Sequence, residues 1–415
     1  MIYEKVLALL KGWEDPNHPL LGPNLKSLFI FGLWKTGTKF RNTAYDFVHG
    51  STLVFVILQF IDLYLIRHDL NKVLNNVSLT VLSAICFAKC YSLVMWQIEW
   101  RQLVKEISEE ELFQIKKQDP LIQKYINEYT KYARVITVLF WFLVLGTNLL
   151  LIVTPLLKYC SSESYREQIE KGEEQLPHII YAWFPFDIYK MPGYLISIIF
   201  QIIMASQGSG VIATYDMNVV AIMSYFKGQL IILKQKSQDI FEGTSSSEDI
   251  IGNIRECHRH HNVLVRQYKL FNSLLSPTMY LYVLLCSMTI CGSVVQFSMK
   301  NITTSQKLFI IQYTVGLVLQ LFMYCWHGTE VTVQSFEVDK GVYNSDWWKG
   351  SPRIRRHLLL LAGKLNFRLI FSAGPNTTLS VPVFVDVSIS IYYIHRQMFF
   401  GVESETFIKN KKIFL

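Results

Sequence analysis

Charge is scarce in this sequence. Only 17% of its 415 residues are Asp, Glu, Lys or Arg, against about 25% in an average soluble domain. Together with 51% apolar residues gathered into long runs and a mean hydropathy of +0.25, this excludes an ordinary soluble chain and points to a polytopic membrane protein. Cysteine forms no CxxC pair and no disulfide framework. Of seven cysteines, Cys86, Cys90, Cys286, Cys291 and Cys325 fall in apolar segments, and Cys160 lies in a loop read as external. The net charge of +8 comes from basic residues scattered over short loops. No aromatic-interleaved basic patch stands among them, which excludes nucleic acid as a partner.

Other absences narrow the function. No nucleophile and base group and no metal motif is present, so neither an enzyme nor a cofactor is expected. Cys257, His258, His260 and His261 are zinc-type ligands, but four within one short helical stretch cannot converge on a tetrahedral ion. They read as a solvated or subunit-contact face. No inverted repeat and no pair of Gly/Pro-broken helices supports a secondary transporter. No cleavable signal is expected, because residues of mixed character precede the first apolar run.

What is present is seven apolar stretches of spanning length. They are Val48 to Ile66, Asn76 to Ile98, Val135 to Leu157, Pro192 to Tyr215, Met279 to Phe297, Leu308 to Trp326 and Val381 to Phe400. Tyr3 to Leu10 and Leu25 to Phe40 read as short amphipathic helices at the membrane surface. Glu99 to Arg134 holds seven basic and seven acidic residues and extends the neighbouring helices beyond the bilayer. Asp216 to Gln238, Glu248 to Ser276 and Val331 to Lys364 are expected to form a cytoplasmic bundle. With the N-terminus inside, the inner segments carry 27 Lys and Arg and the outer ones 11. The positive-inside rule therefore places the N-terminus in the cytosol and the C-terminus outside. The sequons at Asn76 and Asn301 then face outward as candidate glycosylation sites, and that at Asn376 does not. A basic tail, Lys409 to Lys412, closes the chain.

The last stretch, VPVFVDVSISIYYIHRQMFF, is too polar to face lipid on all sides. Val387, Ile391, Ile394 and Met398 share one helical face. That face reads as the lining of an ion pore closed by apolar side chains through dewetting, although the same periodicity fits a packed transmembrane helix. Among ionisable groups near spans, Lys89 is expected to snorkel or to pair with Asp62. A pocket needs apolar walls and a few polar anchors. For ligands entering from outside, the candidates are Phe142, Gly146 and Leu149 of the third span, Tyr194 and Ile198 of the fourth, and Thr289 and Ile290 of the fifth. Selectivity there would come from shape and dispersion, about 1 kcal/mol per methylene.

Several stretches resemble the insect odorant receptor family. WFPFD at Trp183 to Asp187, followed by Pro192, Tyr194 and Gln201, is similar to that family's approach to the fourth helix. HRHHNVLVRQYKLFNSLLSPTMYLYVLLCSMTICGSVVQ, His258 to Gln296, resembles its fifth-helix region. YCWHGTEVTVQSFEVDKGVYNSDWW, Tyr324 to Trp348, resembles the inner end of its sixth helix and the first half of its seventh, and LSVPVFVDVSISIYYIHRQM, Leu379 to Met398, its pore-lining second half. HPLLGPNL and the first two spans are compatible with the same family.

The resemblance implies an all-α fold with seven transmembrane helices, N-in and C-out, the seventh split in two. It implies an odorant-gated, non-selective cation channel in which a tuning subunit and an olfactory coreceptor subunit form a tetramer, in the plasma membrane of olfactory sensory neurons. The ligand would be a small volatile odorant or pheromone. The expected divisions are 1–47 as a cytoplasmic segment, 48–327 as the binding bundle, 328–378 as a cytoplasmic anchor, 379–400 as the pore-lining half-helix and 401–415 as an outer tail. The gate lands on Ile394 and Met398. Tyr324, Trp326, Tyr343, Trp347 and Trp348 fall in the subunit anchor, and membrane lipids surround the rest. Ser390, Ile391, Tyr392 and Tyr393 replace the family's S-Y-x-Y-F stretch. The gustatory branch ends in T-Y-x5-Q-F, from which Ser390, Ile391 and Met398 depart. The coreceptor's longer second intracellular loop is missing, as expected of a tuning subunit. A G-protein-coupled receptor is the alternative, against which stand the reversed orientation and the lack of a D-R-Y triplet and of N-P-x-x-Y.

Overall fold

The structure is a computed structural model, and it describes residues 11–35, 37–68, 70–170, 176–188, 190–243, 246–297, 304–375 and 377–389. Helices dominate the described residues. They run α1 Gly22–Ile30, α2 Lys39–Leu65, α3 Leu70–Met95, α4 Gln97–Lys116, α5 Pro120–Ser161, α6 Glu163–Glu170, α7 Gly193–Gln238, α8 Ser247–Phe297, α9 Thr304–Ser335, α10 Val338–Asn344 and α11 Pro352–Leu365. A last helix, α12, covers 381–389.

Local chemistry sets several of these boundaries. The Thr38 hydroxyl caps α2 by accepting from the Arg41 N–H at 3.4 Å. Ser351 caps α11 in the same way, with Pro352 pre-set at the first helical position. On α11 the buried residues Ile354, Leu358, Leu361 and Leu365 recur at helical spacing, so one stripe packs inward while the basic face stays wet. The turn between α4 and α5 passes through Gln118 at φ 55°, and the chain kinks at Trp96 (φ −99°, ψ 35°) where the second span was expected to continue to Ile98.

Five segments are long and apolar enough to cross a membrane among the described residues: Lys39–Leu65, Asn76–Met95, Pro120–Leu157, Gly193–Phe241 and Ser247–Phe297. The sixth expected span lies within α9, and α12 begins the seventh. At 46 and 51 residues, α7 and α8 reach about 70 and 75 Å at 1.5 Å per residue. Both therefore extend far beyond a bilayer core of about 30 Å, and their protruding halves build the expected bundle with α4, α5, α10 and α11.

The centre of the molecule is α7. From Gly210 to Leu233 nearly every side chain is buried, polar ones included, which is the signature of a helix enclosed on all sides. Around it, one large cluster runs through Leu21, Ile85, Trp100, Phe226, Phe271, Leu321, Leu358 and Phe371.

Three expectations change here. Leu25 to Phe40 does not lie as a surface helix: the helix is α1, and Leu20, Leu21, Leu28 and Leu33 beside and within it are buried in the main core. Cys257, His260 and His261 are not a solvated face, because they are buried inside the bundle and only His258 of the four is exposed. No group of three or more metal-ligating side chains occurs among the described residues. Lys89 pairs with Asp216 rather than with Asp62, which instead accepts from the Asn76 amide at 3.1 Å. The reason is that α3 turns Lys89 toward α7, whose Asp216 lies at the same depth.

Candidate functional site

A cleft opens between α3, α5, α7 and α9. Its main lobe, a cavity of about 90 Å³, is walled by Leu79, Leu82, Phe140, Leu143, Val144, Leu151, Ile212 and Leu317, with Thr147, Asn148, Ser209, Tyr313 and Gln320 as polar members. A second lobe of about 60 Å³ shares Leu79, Leu82, Leu151, Ser209 and Ile212 and reaches Phe55, Cys86 and Met204. Walls of this kind hold a small apolar molecule by burial and dispersion.

Beneath the cavity sits a charged core. Lys89 Nζ lies 2.5 Å from Asp216 Oδ1 with both side chains fully buried, and the Tyr324 hydroxyl and the Gln320 amide of α9 donate to the same carboxylate. Lys89 Nζ also stands 4.8 Å from the Tyr282 ring centroid, a cation–π distance. An ion pair this deep is kept only when its remaining valences are filled, and here α3, α7, α8 and α9 fill them. Gln320 thus belongs both to the cavity wall and to the charged core.

The helix that carries Gln320 also holds the start of α12. The Thr329 hydroxyl oxygen accepts from the Val381 N–H at 2.8 Å, and the Phe322 and Phe384 rings meet edge-on with centroids 5.5 Å apart. Gly328 runs so close to the Leu379 carbonyl that a Cβ would stand 2.3 Å from it. One helix, α9, thus contributes both to the cavity wall and to the seat of α12.

On the outer side of the bundle, the 176–188 segment folds over α7. Gln201 Oε1 accepts from the N–H groups of Ile179 (2.9 Å) and Ile180 (3.1 Å), and the Tyr194 hydroxyl donates to the Pro177 carbonyl at 3.0 Å. This explains the polar residues of the fourth-helix motif as anchors of that strap.

At the far end, the bundle is held by hydrogen-bonded charge. Arg259 forks onto both Glu110 oxygens at 2.9 Å, and Glu256 beside Arg259 and Lys117 is held down to about 2. The His260 imidazole contacts Gln229 Oε1 at 2.9 Å, and burial pushes it down to about 3. Burial acts in the opposite sense on Glu111, whose carboxyl rises to about 7 although the Tyr129 hydroxyl and the Leu20 N–H donate to it.

The seven expected pocket residues do not line the cleft. Phe142 and Leu149 are 63% and 61% exposed on the outer face of α5; the lining residues are their neighbours Leu143 and Leu151, with Val144 and Thr147 between, on a face rotated by the 3.6-residue period. Gly146 lies apart from the lining as well. Tyr194 serves the strap, and Ile198 packs on the small cluster of Phe55, Ile179 and Met204. Thr289 and Ile290 are buried in the main core, Thr289 donating to the Leu285 carbonyl at 2.7 Å. Sequence reasoning missed Gln320, Asp216 and Tyr313, polar residues set in otherwise apolar helices, which is itself the signal that points to them.

Other expected residues fall as follows. Val387 is half-buried against the core, whereas Ile391, Ile394, Met398, Asn301, Asn376 and the tail lie outside the described residues. Asn76 is buried, and the amide nitrogen a glycan would use is given to Asp62. Tyr324 is bound within the chain's own core at Asp216. Trp326, Trp347 and Trp348 are exposed and Tyr343 is 76% so; Tyr343 and Trp347 edge a groove with Arg355, Leu358 and Leu359.

Residues 69–392 match the family model described as 7tm Odorant receptor. The chain is similar to odorant receptor Or2 of Anopheles gambiae, 20% identical over 391 residues that cover 92% of this chain and 98% of that protein. It is also similar to odorant receptor 82a of Drosophila melanogaster, 23% identical over 46% of this chain and 49% of that one. In fold it matches the olfactory receptor OR5 of Machilis hrabei, with a TM-score of 0.76 at 14% identity over 97% of this chain and 100% of that chain. The same receptor in complex with eugenol matches at 0.76 and 15% identity, over 96% of this chain and 100% of that one.

Proposed function

The chain belongs to the insect 7tm odorant receptor family, and from that premise we propose that it is the odorant-binding tuning subunit of a ligand-gated, non-selective cation channel. It is a multi-pass membrane receptor and not an enzyme. In the proposed assembly it joins an olfactory coreceptor subunit in a tetramer, in the plasma membrane of olfactory sensory neurons. Residues 48–327 form the binding bundle, 328–378 the cytoplasmic anchor, and 379–400 the pore-lining half of the seventh helix.

One observation carries this reading. The apolar cavity and the clasp on α12 are built on the same helix, α9, through Leu317 and Gln320 at one level and Gly328 and Thr329 about two to three turns further on. A small volatile molecule that binds more tightly when α9 is displaced shifts the equilibrium toward that state. The shift tilts α12 and withdraws the apolar gate, placed at Val387, Ile391, Ile394 and Met398. The exposed Trp326, Tyr343, Trp347 and Trp348 support a contact with neighbouring subunits, where bulky aromatics gain most from burial.

The test is two-electrode recording from oocytes expressing this chain alone and with the coreceptor, over a broad odorant panel under G-protein blockade. Fast inward cation current only when both are present is the expected result. Current abolished by the blockade would overturn the channel reading.

A further inference from the structure

The cavity's polar atoms are nearly all spoken for, and what remains free defines a ligand. Thr147 Oγ1 donates to the Leu143 carbonyl (2.8 Å) and accepts from Gln312 Nε2 (3.2 Å). Ser209 Oγ has one proton to give, with the Ala205 carbonyl (2.8 Å) and Asn148 Oδ1 (3.0 Å) both within reach, while Asn148 Nδ2 turns to the exposed Ser206 hydroxyl at 3.5 Å. The Tyr313 hydroxyl donates to the Ser78 carbonyl at 3.0 Å.

Gln320 is different. Its side chain is 5% exposed, and it faces a carboxylate, Asp216, that can only accept. The end turned to Asp216 is therefore the NH2 group. Gln320 also lines the cavity, and its Oε1 acceptor, the end not given to Asp216, takes no donor among the described residues. An acceptor with no donor from the chain leaves a hydrogen bond that a ligand hydroxyl in the cavity can make.

We propose that Gln320 determines the specificity of this cavity, and that its preferred ligands are small neutral molecules with one hydrogen-bond donor, an alkanol or a phenol. The hydroxyl donates to Gln320 Oε1, and the hydrocarbon body fills the space between Leu79, Leu143, Val144 and Leu317. A methyl ether or ketone of the same shape offers only acceptors and sets oxygen against oxygen. A site built to bond a hydroxyl rejects the analogue that lacks it more sharply than an apolar pocket rejects a methylene. The inference rests on the cavity being the odorant site. It adds a consequence: the ligand's polar end sits one residue away from the Lys89–Asp216 pair, on the helix that holds α12.

The experiment uses the full chain with the coreceptor in oocytes and an odorant panel that pairs each 1-alkanol or phenol with its methyl ether and a matched ketone. On the unmodified chain, the hydroxyl compound should have a half-maximal concentration about tenfold below its ether, the worth of one neutral hydrogen bond. Gln320→Met, which keeps length and apolar volume and removes the acceptor, should bring that ratio close to one. The ratio is read within one variant, so a change in expression alone does not move it. If the variant fails to reach the surface, the ratio on the unmodified chain decides. Ethers or ketones that match or outdo the alcohols, or a ratio that survives Gln320→Met, overturns the proposal. Silence to the whole panel with the receptor verified at the surface sinks the odorant-channel reading itself.

Discussion

Lys89 Nζ and Asp216 Oδ1 stand 2.5 Å apart in a place fully closed to solvent. The pair joins α3 to α7, and α9 adds Tyr324 and Gln320 to the same carboxylate. Removing one partner strands a buried charge, at a cost of about 3–5 kcal/mol, whereas replacing both by apolar groups costs far less. Lys89→Met and Asp216→Asn should each lower the melting temperature of the purified protein in detergent and its surface expression. The double variant Lys89→Met/Asp216→Leu should recover most of the loss. A double variant no better than either single one would mean that the two charges do not act as a unit.

Glu111 gives the cytoplasmic bundle a pH dependence of defined sign. Its carboxyl is fully buried and raised by that burial to about 7, against the lowering pull of the Tyr129 hydroxyl, the Leu20 N–H and the Arg134 guanidinium. Tyr225 on α7 faces the same carboxyl. A carboxyl raised in the fold favours the protonated state, so its contribution is full below the unfolded value near 4.5 and is lost as pH rises through about 7. The loss is on the order of 3 kcal/mol. Glu111→Gln, which cannot ionise, should be stabilised relative to the parent as pH rises from 5 to 7.5. A melting-temperature difference that stays flat across that range would contradict the assignment. His260, pushed down to about 3, stays neutral throughout and contributes equally to both proteins.

Much of this architecture is legible in the chain because lipid imposes a coarse rule: a backbone crossing it must be helical for about 20 residues. The spans of α2, α5, α7 and α8 follow directly from that rule. Rotation about a helix axis does not, since most faces of a membrane helix are apolar. Spacing alone therefore points to Phe142 and Leu149, whereas Leu143, Val144 and Leu151 line the cavity. Partner choice is equally hidden: sequence pattern points Lys89 to Asp62, and only packing brings Asp216 to it. Buried histidines such as His260 look like a wet face in sequence because the bundle that covers them comes from α4 and α7, over a hundred and about thirty residues away respectively.

The contact between α9 and α12 should control opening. Gly328→Ala would push a methyl group into the Leu379 carbonyl, and Thr329→Val removes the acceptor for the Val381 N–H. Both lie remote from the cavity. In oocytes with the coreceptor, each should change the maximal response or the resting current while leaving the rank order of odorants intact. An altered rank order would place these residues in ligand recognition instead, and unchanged currents would remove the clasp from the gating path. Ile394→Ala should act further along the same path and give current without odorant.

The cavity itself is tested by contrasting two faces of α5. Val144 lines the space and Leu149, little more than one turn on, faces away from it. Enlarging Val144 to Phe adds a ring to a cavity of about 90 Å³, enough to displace a small ligand outright, since overpacking a filled site costs about 1–3 kcal/mol or more. Val144→Phe should therefore raise half-maximal concentrations by at least about tenfold for every agonist of the parent. Leu149→Phe adds the same kind of bulk to a surface that meets lipid and should leave them within about twofold. Surface labelling of both variants separates lost binding from lost protein. If Leu149→Phe abolishes responses while Val144→Phe preserves them, the ligand sits on the opposite face of α5, and the cleft between α3, α5, α7 and α9 is not its site.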